Sequence, residues 1–326
     1  MSSGDPLRLA ERWLAAVEGP RDTALAVLNG AIGDRLAERG SPLAIAMTLL
    51  QRDPWRTFAP PVPARACLLV HGLMGNERSW AIGTTDERPE LGTAIAAARG
   101  VVPLYLRYNT GLHVSQNGRA LANLLERTTG DELEELTIVA HSMGGLVVRS
   151  ACHYAAEAKQ RWLTKLGRVF LLGAPSHGSP VEQLAHVAAF TLTTIWNPWT
   201  KLIGAAINLR SAGIKDLRHG FLLDEDWMHR DLDELALRAP RPTIATPHVR
   251  WHVIAGALGA EASWIGKLVG DGLVGAGSVA GRGFGTPAPG VLPEAELCVL
   301  PRVGHIGLMG DPAVLAQLLQ WWAVTE

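Results

Sequence analysis

The sequence has little charge and almost no imbalance between charges of opposite sign. Only 19% of its 326 residues are Asp, Glu, Lys or Arg, and the formal net charge is −1. Nucleic-acid-binding domains usually present an excess of Lys and Arg, so this composition argues against a nucleic-acid partner. Hydrophobic residues make up 48% of the chain, which is enough for a large core and favours a neutral or apolar ligand.

Cysteine is also scarce. Cys67, Cys152 and Cys298 are far apart and lie in or beside apolar segments. An odd, sparse set indicates buried thiols in a reducing compartment rather than a disulfide framework.

The first residues lack the apolar run of a secretory signal, because charged residues interrupt them early. We therefore expect a cytoplasmic protein.

Long apolar runs are missing as well. A membrane-spanning helix needs about 20 apolar residues, and no such stretch occurs. The segment 187–209 comes nearest, but Asn197, Pro198 and Lys201 interrupt it. The sequence therefore predicts no transmembrane segment and leaves peripheral membrane contact open.

The first 60 residues differ in pattern from the rest of the chain. Apolar residues at helical spacing predict helices over 7–17, 24–36 and 43–50. The prolines of segment 58–63 then predict an extended linker, because proline disfavours helix here. Residues 1–60 are thus predicted to be a helical extension followed by a linker.

Strand and helix patterns alternate from residue 64 onward. The predicted strands are residues 66–70, 101–106, 136–140, 169–172, 249–255 and 295–300, and the predicted helices are residues 90–99, 115–127, 145–159 and 312–324. Continuous apolar strands separated by helices predict a mostly parallel sheet with helices on both faces. The mostly helix-like interval 179–247 interrupts this alternation.

The most informative segment is 136–149, where a β-branched apolar run leads into Ala-His-Ser142-Met-Gly-Gly. A strand, a sharp turn with serine at its tip and a helix together form a nucleophile elbow. The residues two before and two after the serine crowd each other, and here they are the small Ala140 and Gly144. An ordinary helix N-cap is the alternative interpretation of Ser142.

With this elbow the chain resembles the α/β-hydrolase superfamily, on its lipase and esterase side. Ala140 stands where the usual Gly-x-Ser-x-Gly motif has its first glycine. The resemblance implies an α/β-hydrolase catalytic domain over residues 61–326, with a helical cap inserted at about 179–247. Three tryptophans of that interval would either pack in the core or form an apolar surface over an acyl pocket; they are Trp196, Trp199 and Trp227.

The resemblance also supplies partners for Ser142 in the family's order of serine, acid and histidine. Val-Gly-Asp271-Gly-Leu-Val matches the lipase Asp-Gly-Leu-Val pattern, and Val-Gly-His305-Ile-Gly resembles the histidine loop after the last strand. His305 would take the serine proton, and Asp271 would fix the tautomer of His305. The alternatives are a simple Asx turn for Asp271 and a surface-loop histidine for His305. His177 is the main rival base, although the family pattern implies that it only lines the site.

A second motif, Val-His71-Gly72-Leu73-Met-Gly, matches the lipase His-Gly-x-x-Gly loop. This match implies that the backbone N–H groups of Leu73 and Met143 form an oxyanion hole. His71 lacks a second ligand at metal-binding spacing, so it is expected to brace the loop. The residues expected to support the site are His71, Gly72, His141, Gly144 and His177.

The sequence therefore predicts a serine carboxylic-ester hydrolase that works through an acyl-enzyme and needs no cofactor or metal. Its expected substrate is a small apolar ester or lipid, and its oligomeric state is left open. An acyltransferase or thioesterase with the same triad is one alternative. A catalytically inactive interaction protein, with residues 5–51 as docking surface, is another.

Overall fold

The computed structural model describes residues 21–52, 54–85, 88–175, 211–228, 243–257 and 295–323. Its strands are β1 (Thr48–Gln51), β2 (Arg56–Thr57), β3 (Arg65–Val70), β4 (Val102–Arg107), β5 (Glu135–His141), β6 (Leu166–Leu172), β7 (Arg250–Ala257) and β8 (Glu296–Pro301). Its helices are α1 (Arg21–Glu38), α2 (Leu91–Arg99), α3 (Val114–Thr128), α4 (Met143–Glu157), α5 (Ala212–His219), α6 (Asp224–Trp227) and α7 (Pro312–Ala323). Single 3-10 turns cover Glu77–Ala81, Arg161–Lys165 and Gly307–Met309.

The eight described strands form one sheet in the order β2-β1-β4-β3-β5-β6-β7-β8. Strands β3 to β8 are mutually parallel, while β1 pairs antiparallel with both β2 and β4. Helices cover both faces, because one hydrophobic cluster includes residues of α1, α3 and α4 and the other includes residues of α2 and α7. The mostly parallel, two-sided sheet predicted from the strand pattern is confirmed.

The six strands predicted from the apolar runs are all present, with ends shifted by up to three residues. The predicted helix over residues 43–50 is wrong, because Thr48–Gln51 forms strand β1. Leu49 packs into one hydrophobic cluster and Leu50 into the other, on opposite faces of the sheet. Adjacent apolar residues suit a strand buried on both faces as well as a helix, so spacing alone could not separate the two.

A buried asparagine of α1 explains the irregular backbone before β1. Asn29 Nδ2 donates to the carbonyl oxygen of Leu43 at 2.8 Å, and its Oδ1 accepts from the N–H of Ile45 at 2.9 Å. These bonds satisfy backbone groups that a helix would otherwise pair internally.

The helix predicted over residues 24–36 is confirmed as α1, and two strands of the sheet come from the segment before residue 60. The division of the chain at residue 60 stays a prediction.

The described part of the predicted cap contains α5 and α6. Trp227 of α6 stacks on His113 with ring centroids 3.7 Å apart, and its Nε1 donates to Ser115 Oγ at 2.9 Å. Trp227 therefore packs against the start of α3. Trp196 and Trp199 lie outside the described residues.

All three cysteines are free thiols; Cys67 and Cys152 are buried and Cys298 is partly exposed. Burial raises the pKa of Cys152 to about 12, so this thiol stays protonated at neutral pH. None of the described helices is both long and apolar enough to cross a membrane.

Candidate active site

Ser142 occupies the junction between β5 and α4 in a strained backbone conformation. Its φ is 54° and its ψ is −125°, values that a residue other than glycine rarely adopts. Its N–H donates to the carbonyl oxygen of Leu172 at 2.9 Å, which ties the turn to β6. An N-cap residue normally has extended backbone and a side chain bonded to the helix, and Ser142 has neither. The local geometry is that of a nucleophile elbow.

Gly144 shows why this turn accepts only a small residue. A Cβ atom placed there would lie 2.6 Å from the carbonyl oxygen of Val70 and 2.6 Å from that of His71. Ala140, at the other side of the turn, is completely buried. The end of β3 thus packs directly against the first turn of α4, which brings the loop after β3 to Ser142.

We expect Gly144→Ala to destabilise the protein by about 1–3 kcal/mol, as overpacking of a tight contact usually does. The added methyl group meets the backbone oxygen atoms of Val70 and His71, which cannot rotate away. Urea unfolding of the two proteins measures the difference.

Gly167→Ala is the matched control for this measurement. A Cβ at Gly167 on β6 would approach no atom closer than 3.9 Å. This variant should be as stable as the wild type or slightly more stable, because alanine restricts the unfolded chain. Equal stabilities of the Gly144→Ala variant and the wild type would contradict the packing account.

A cavity of about 80 Å³ opens at Ser142. Its described lining residues are Thr23, Gly72, Leu73, Met74, Gly75, Asn76, Ser79, Ile82, His141, Ser142, His305, Ile306 and Met309. The structure therefore brings five of the sequence-predicted site residues, Gly72, Leu73, His141, Ser142 and His305, to one cavity. The side chains of Asp271 and His177 lie outside the described residues.

His305 lies in the loop between β8 and the turn Gly307–Met309, and only 4% of it is exposed. Its carbonyl oxygen accepts a hydrogen bond of 3.0 Å from Nε2 of His141, so the proton of His141 is on Nε2. The two imidazole rings lie with centroids 4.6 Å apart. Burial, with a smaller contribution from His305, holds the pKa of His141 well below its ordinary value. A neutral His141 thus anchors the backbone of the loop that carries His305.

The loop after β3 is braced from within and from the segment after β4. His71 is completely buried, and its Nδ1 donates to the carbonyl oxygen of Gly72 at 3.0 Å. Tyr108 stacks on the His71 ring and donates its hydroxyl proton to the His71 carbonyl oxygen at 2.8 Å. Thr110 Oγ1 accepts from the N–H of Met74, whose φ is 58°. These contacts fix the loop backbone beside the serine.

Gly72 allows this loop to approach the elbow. A Cβ atom at Gly72 would lie 2.9 Å from Cβ of Ser142 and 3.1 Å from Nδ1 of His141. The N–H groups of Leu73 and Met143 donate to no residue within the described part of the chain. Two N–H groups near one serine can stabilise negative charge on a carbonyl oxygen.

An ion pair with a fully buried carboxylate and a partly exposed arginine lies at the end of this loop. The carboxylate of Glu77 is fully buried and accepts from Arg107 Nε at 2.9 Å, with a second, shorter bond from Arg107 Nη2. Burial would raise the pKa of Glu77, but the bonds from Arg107 outweigh it and hold the pKa below its ordinary value. Asp22 of α1 also pairs with Arg107, at 3.7 Å. Glu77 therefore stays charged and fastens the end of the loop to β4 and α1.

Several cavity residues were not predicted from the sequence. They are Thr23, Met74, Gly75, Asn76, Ser79, Ile82, Ile306 and Met309. Residues 74–79 directly follow the His-Gly-x-x-Gly motif, and the Asn-x-x-Ser spacing of Asn76 and Ser79 resembles a capping box that could have indicated a turn there. Nothing local marks Thr23, which reaches the cavity through the packing of α1. Among the described residues, no group of three or more His, Cys, Asp or Glu side chains could hold a metal ion.

Acid should destabilise the fold through His71 and His141. Burial lowers the pKa of His71 to about 4 and holds the pKa of His141 well below its ordinary value, whereas an unfolded histidine titrates near 6.5. The unfolded state therefore binds more protons as the pH falls below about 6.5. We expect the free energy of unfolding to fall by about 1.4 kcal/mol per pH unit for each such histidine, down to the folded-state pKa.

Urea unfolding of the wild type and of the His71→Gln variant between pH 8 and pH 4.5 measures this dependence. The variant should lose less stability on acidification. Near pH 8, where histidine is neutral in both the folded and the unfolded state, the difference in unfolding free energy between the two proteins should not depend on pH. Parallel curves over the whole range would contradict a neutral, buried His71.

Comparison with known proteins assigns the chain to a family. Residues 46–215, about half of the chain, match the model of a domain of unknown function, DUF7379. The chain belongs to this family. No curated protein matches the sequence.

Solved structures similar to this family member include hydrolases. The propeptide form of Bacillus licheniformis lipase BlEst2 has 20% sequence identity and a TM-score of 0.51, and the match covers 84% of this chain and 53% of that chain. The mature form of BlEst2 has 16% identity and a TM-score of 0.48, with 85% and 97% of the two chains covered. Carboxylesterase CesB from Bacillus subtilis has 11% identity and a TM-score of 0.43, with 91% and 99% covered. The strand order and the likeness to the propeptide form show an α/β-hydrolase fold.

Proposed function

We propose that the protein is a serine hydrolase that cleaves carboxylic esters through an acyl-enzyme. The observation that carries this proposal is the strained Ser142, which faces a cavity shared with His305 and with the loop after β3. Backbone strain of this kind persists only where the surroundings enforce it, and it concentrates at functional sites. The lipase character of the similar propeptide form of BlEst2 supports the same chemistry.

In the proposed reaction, Ser142 Oγ attacks the ester carbonyl carbon while His305 takes the serine proton. The N–H groups of Leu73 and Met143 stabilise the oxyanion of the tetrahedral intermediate. When the C–O bond breaks, His305 returns the proton to the leaving alcohol and the acyl group stays on Ser142. Water then attacks the acyl-enzyme with the same assistance and releases the acid.

Asp271 is the proposed third member of the triad, on the strength of its Asp-Gly-Leu-Val motif alone. Its role would be to hold His305 in the tautomer that accepts the serine proton. The cavity lining contains no charged side chain among its described residues, which supports a neutral ester as substrate. We further propose a cytoplasmic location and the helical cap over residues 179–247.

A fluorophosphonate probe and a series of p-nitrophenyl esters from acetate to palmitate test the proposal. We expect the probe to attach to Ser142, as located by peptide mass spectrometry, and at least one ester to be hydrolysed. Attachment at another residue, or neither labelling nor hydrolysis, would overturn the proposal. Product analysis with an added alcohol or thiol separates hydrolysis from acyl transfer by the same triad.

A further inference from the structure

The cavity at Ser142 has a polar wall that the proposed triad and oxyanion hole do not use. Thr23, at the start of α1, lines the cavity together with Asn76 and Ser79, which belong to the turn after β3. The apolar residues Ile82, Leu73 and Met309 also line it. The cavity therefore combines an apolar surface with a small group of neutral hydrogen-bonding side chains.

Asn76 has an unused hydrogen-bond donor in this wall. Its side-chain oxygen accepts from the N–H of Arg78 at 3.0 Å, which identifies the other side-chain atom as the amide nitrogen. Only 5% of Asn76 is exposed, and Nδ2 has no hydrogen-bond partner in the described part of the chain. A buried donor without an acceptor costs free energy, and a ligand that supplies an acceptor recovers it.

The neighbouring contacts hold this wall in place. Ser79 Oγ accepts from the N–H of Asn76 at 3.1 Å, so the two residues cap the turn Glu77–Ala81 reciprocally. Asp22, the residue before Thr23, pairs with Arg78 at 3.4 Å, and Arg78 lies between the two capping residues. An exposed ion pair thus links the start of α1 to the turn, and the capping bonds hold Asn76 and Ser79 in position beside it.

We propose that Thr23, Asn76 and Ser79 form a subsite for a neutral, oxygen-containing part of the substrate, such as an ether, hydroxyl or carbonyl group beside the ester. The absence of charged side chains among the described lining residues disfavours an ionic group there. This inference deepens the proposed function and rests on it, because the substrate is taken to be an ester held at Ser142.

Binding to the Ser142→Ala variant tests the subsite without hydrolysis. The ligands are pairs of neutral esters in which one methylene of hexyl hexanoate is replaced by oxygen, one position at a time, at those positions of either chain where the product is an ether ester rather than a carbonate, peroxyester or acetal. Competition measured by ligand-observed NMR gives the ratio of dissociation constants within each pair. We expect at least one ether ester to bind about threefold to tenfold more tightly than its methylene counterpart, the effect of one neutral hydrogen bond.

Adding Thr23→Val or Asn76→Asp to the Ser142→Ala background should remove the preference for that ether. Valine matches threonine in shape, and aspartate keeps the oxygen that accepts from Arg78 but removes the amide donor. Thr57→Val on exposed strand β2 is the matched control and should keep the preference. Melting temperatures verify that each variant is folded.

The subsite is overturned if every ether ester binds no better than its methylene counterpart, or if neither subsite substitution changes the ratio. Failure of the proposed function gives a different pattern, in which the ether preference is present but wild-type hydrolysis does not depend on Ser142. Hydrolysis without any ether preference refutes the subsite alone.

Discussion

Replacement of Ser142 by alanine should lower kcat for the best p-nitrophenyl ester by a factor of about 10⁴ to 10⁶, and fluorophosphonate labelling should disappear. The substitution removes the proposed nucleophile, and only the weaker assistance of substrate binding and the proposed oxyanion donors would remain. Stability should change little, because alanine keeps the same positive φ and no side-chain hydrogen bond to the helix is lost. Steady-state kinetics and thermal unfolding give the two quantities.

Ser150→Ala provides the matched control, because Ser150 lies on α4, the helix that begins directly after Ser142, and is also buried. Its Oγ donates to the carbonyl oxygen of Leu222 at 2.7 Å and does not line the described cavity. This variant should lose some stability but keep kcat within about twofold. Ser150 lies outside the cavity, and changes at separate sites usually act independently of each other. Retention of hydrolysis by Ser142→Ala would refute Ser142 as the nucleophile.

Replacement of His305 by alanine should reduce kcat by a factor of about 10⁴ to 10⁶ as well, since serine is a weak nucleophile without a base. Labelling by the fluorophosphonate should slow for the same reason. The residual rate should rise with pH, because hydroxide then takes over part of the role of the missing base. Initial rates between pH 6 and pH 10 measure this profile.

Two further histidine variants complete this test. His153→Gln alters a histidine of α4 that contacts Ile244 and does not line the described cavity, so activity should persist. His177→Ala addresses the rival base. If His177→Ala abolishes turnover while His305→Ala retains it, the assignment of His305 is wrong.

The parts of the fold that the sequence predicts best are those set by local chemistry. Strand β5, the elbow at Ser142 and helix α4 follow from one segment in which apolar run, small residues and helix pattern succeed one another. Strand β3 and the loop that contains His71 and Gly72 also follow from one continuous segment, an apolar run and the motif after it. Each of these features depends on contacts between residues that lie close together in the sequence or follow a known motif.

The features that the sequence did not predict depend on distant contacts. Thr23 reaches the cavity because α1 packs beside the turn after β3, and no periodicity in α1 indicates that position. Strand β1 has a sequence pattern that also fits a helix, because its two buried leucines face opposite sides of the sheet. Burial on both sides erases the alternation by which a strand is normally identified.

The bond between Gly30 and Ser211 has a consequence for how the protein is made. Ser211 Oγ donates to the carbonyl oxygen of Gly30 at 2.6 Å across 181 residues of sequence. At a synthesis rate of about 5–20 residues per second, the ribosome needs roughly 10–40 s to add these residues. Helix α1 therefore cannot form its bond to Ser211 until long after it has been synthesised. Ser142 is added to the chain before Ser211, and His305 is added after it. A nascent chain therefore carries the proposed nucleophile, Ser142, before the proposed base, His305, and the proposed reaction has to wait until both have been synthesised.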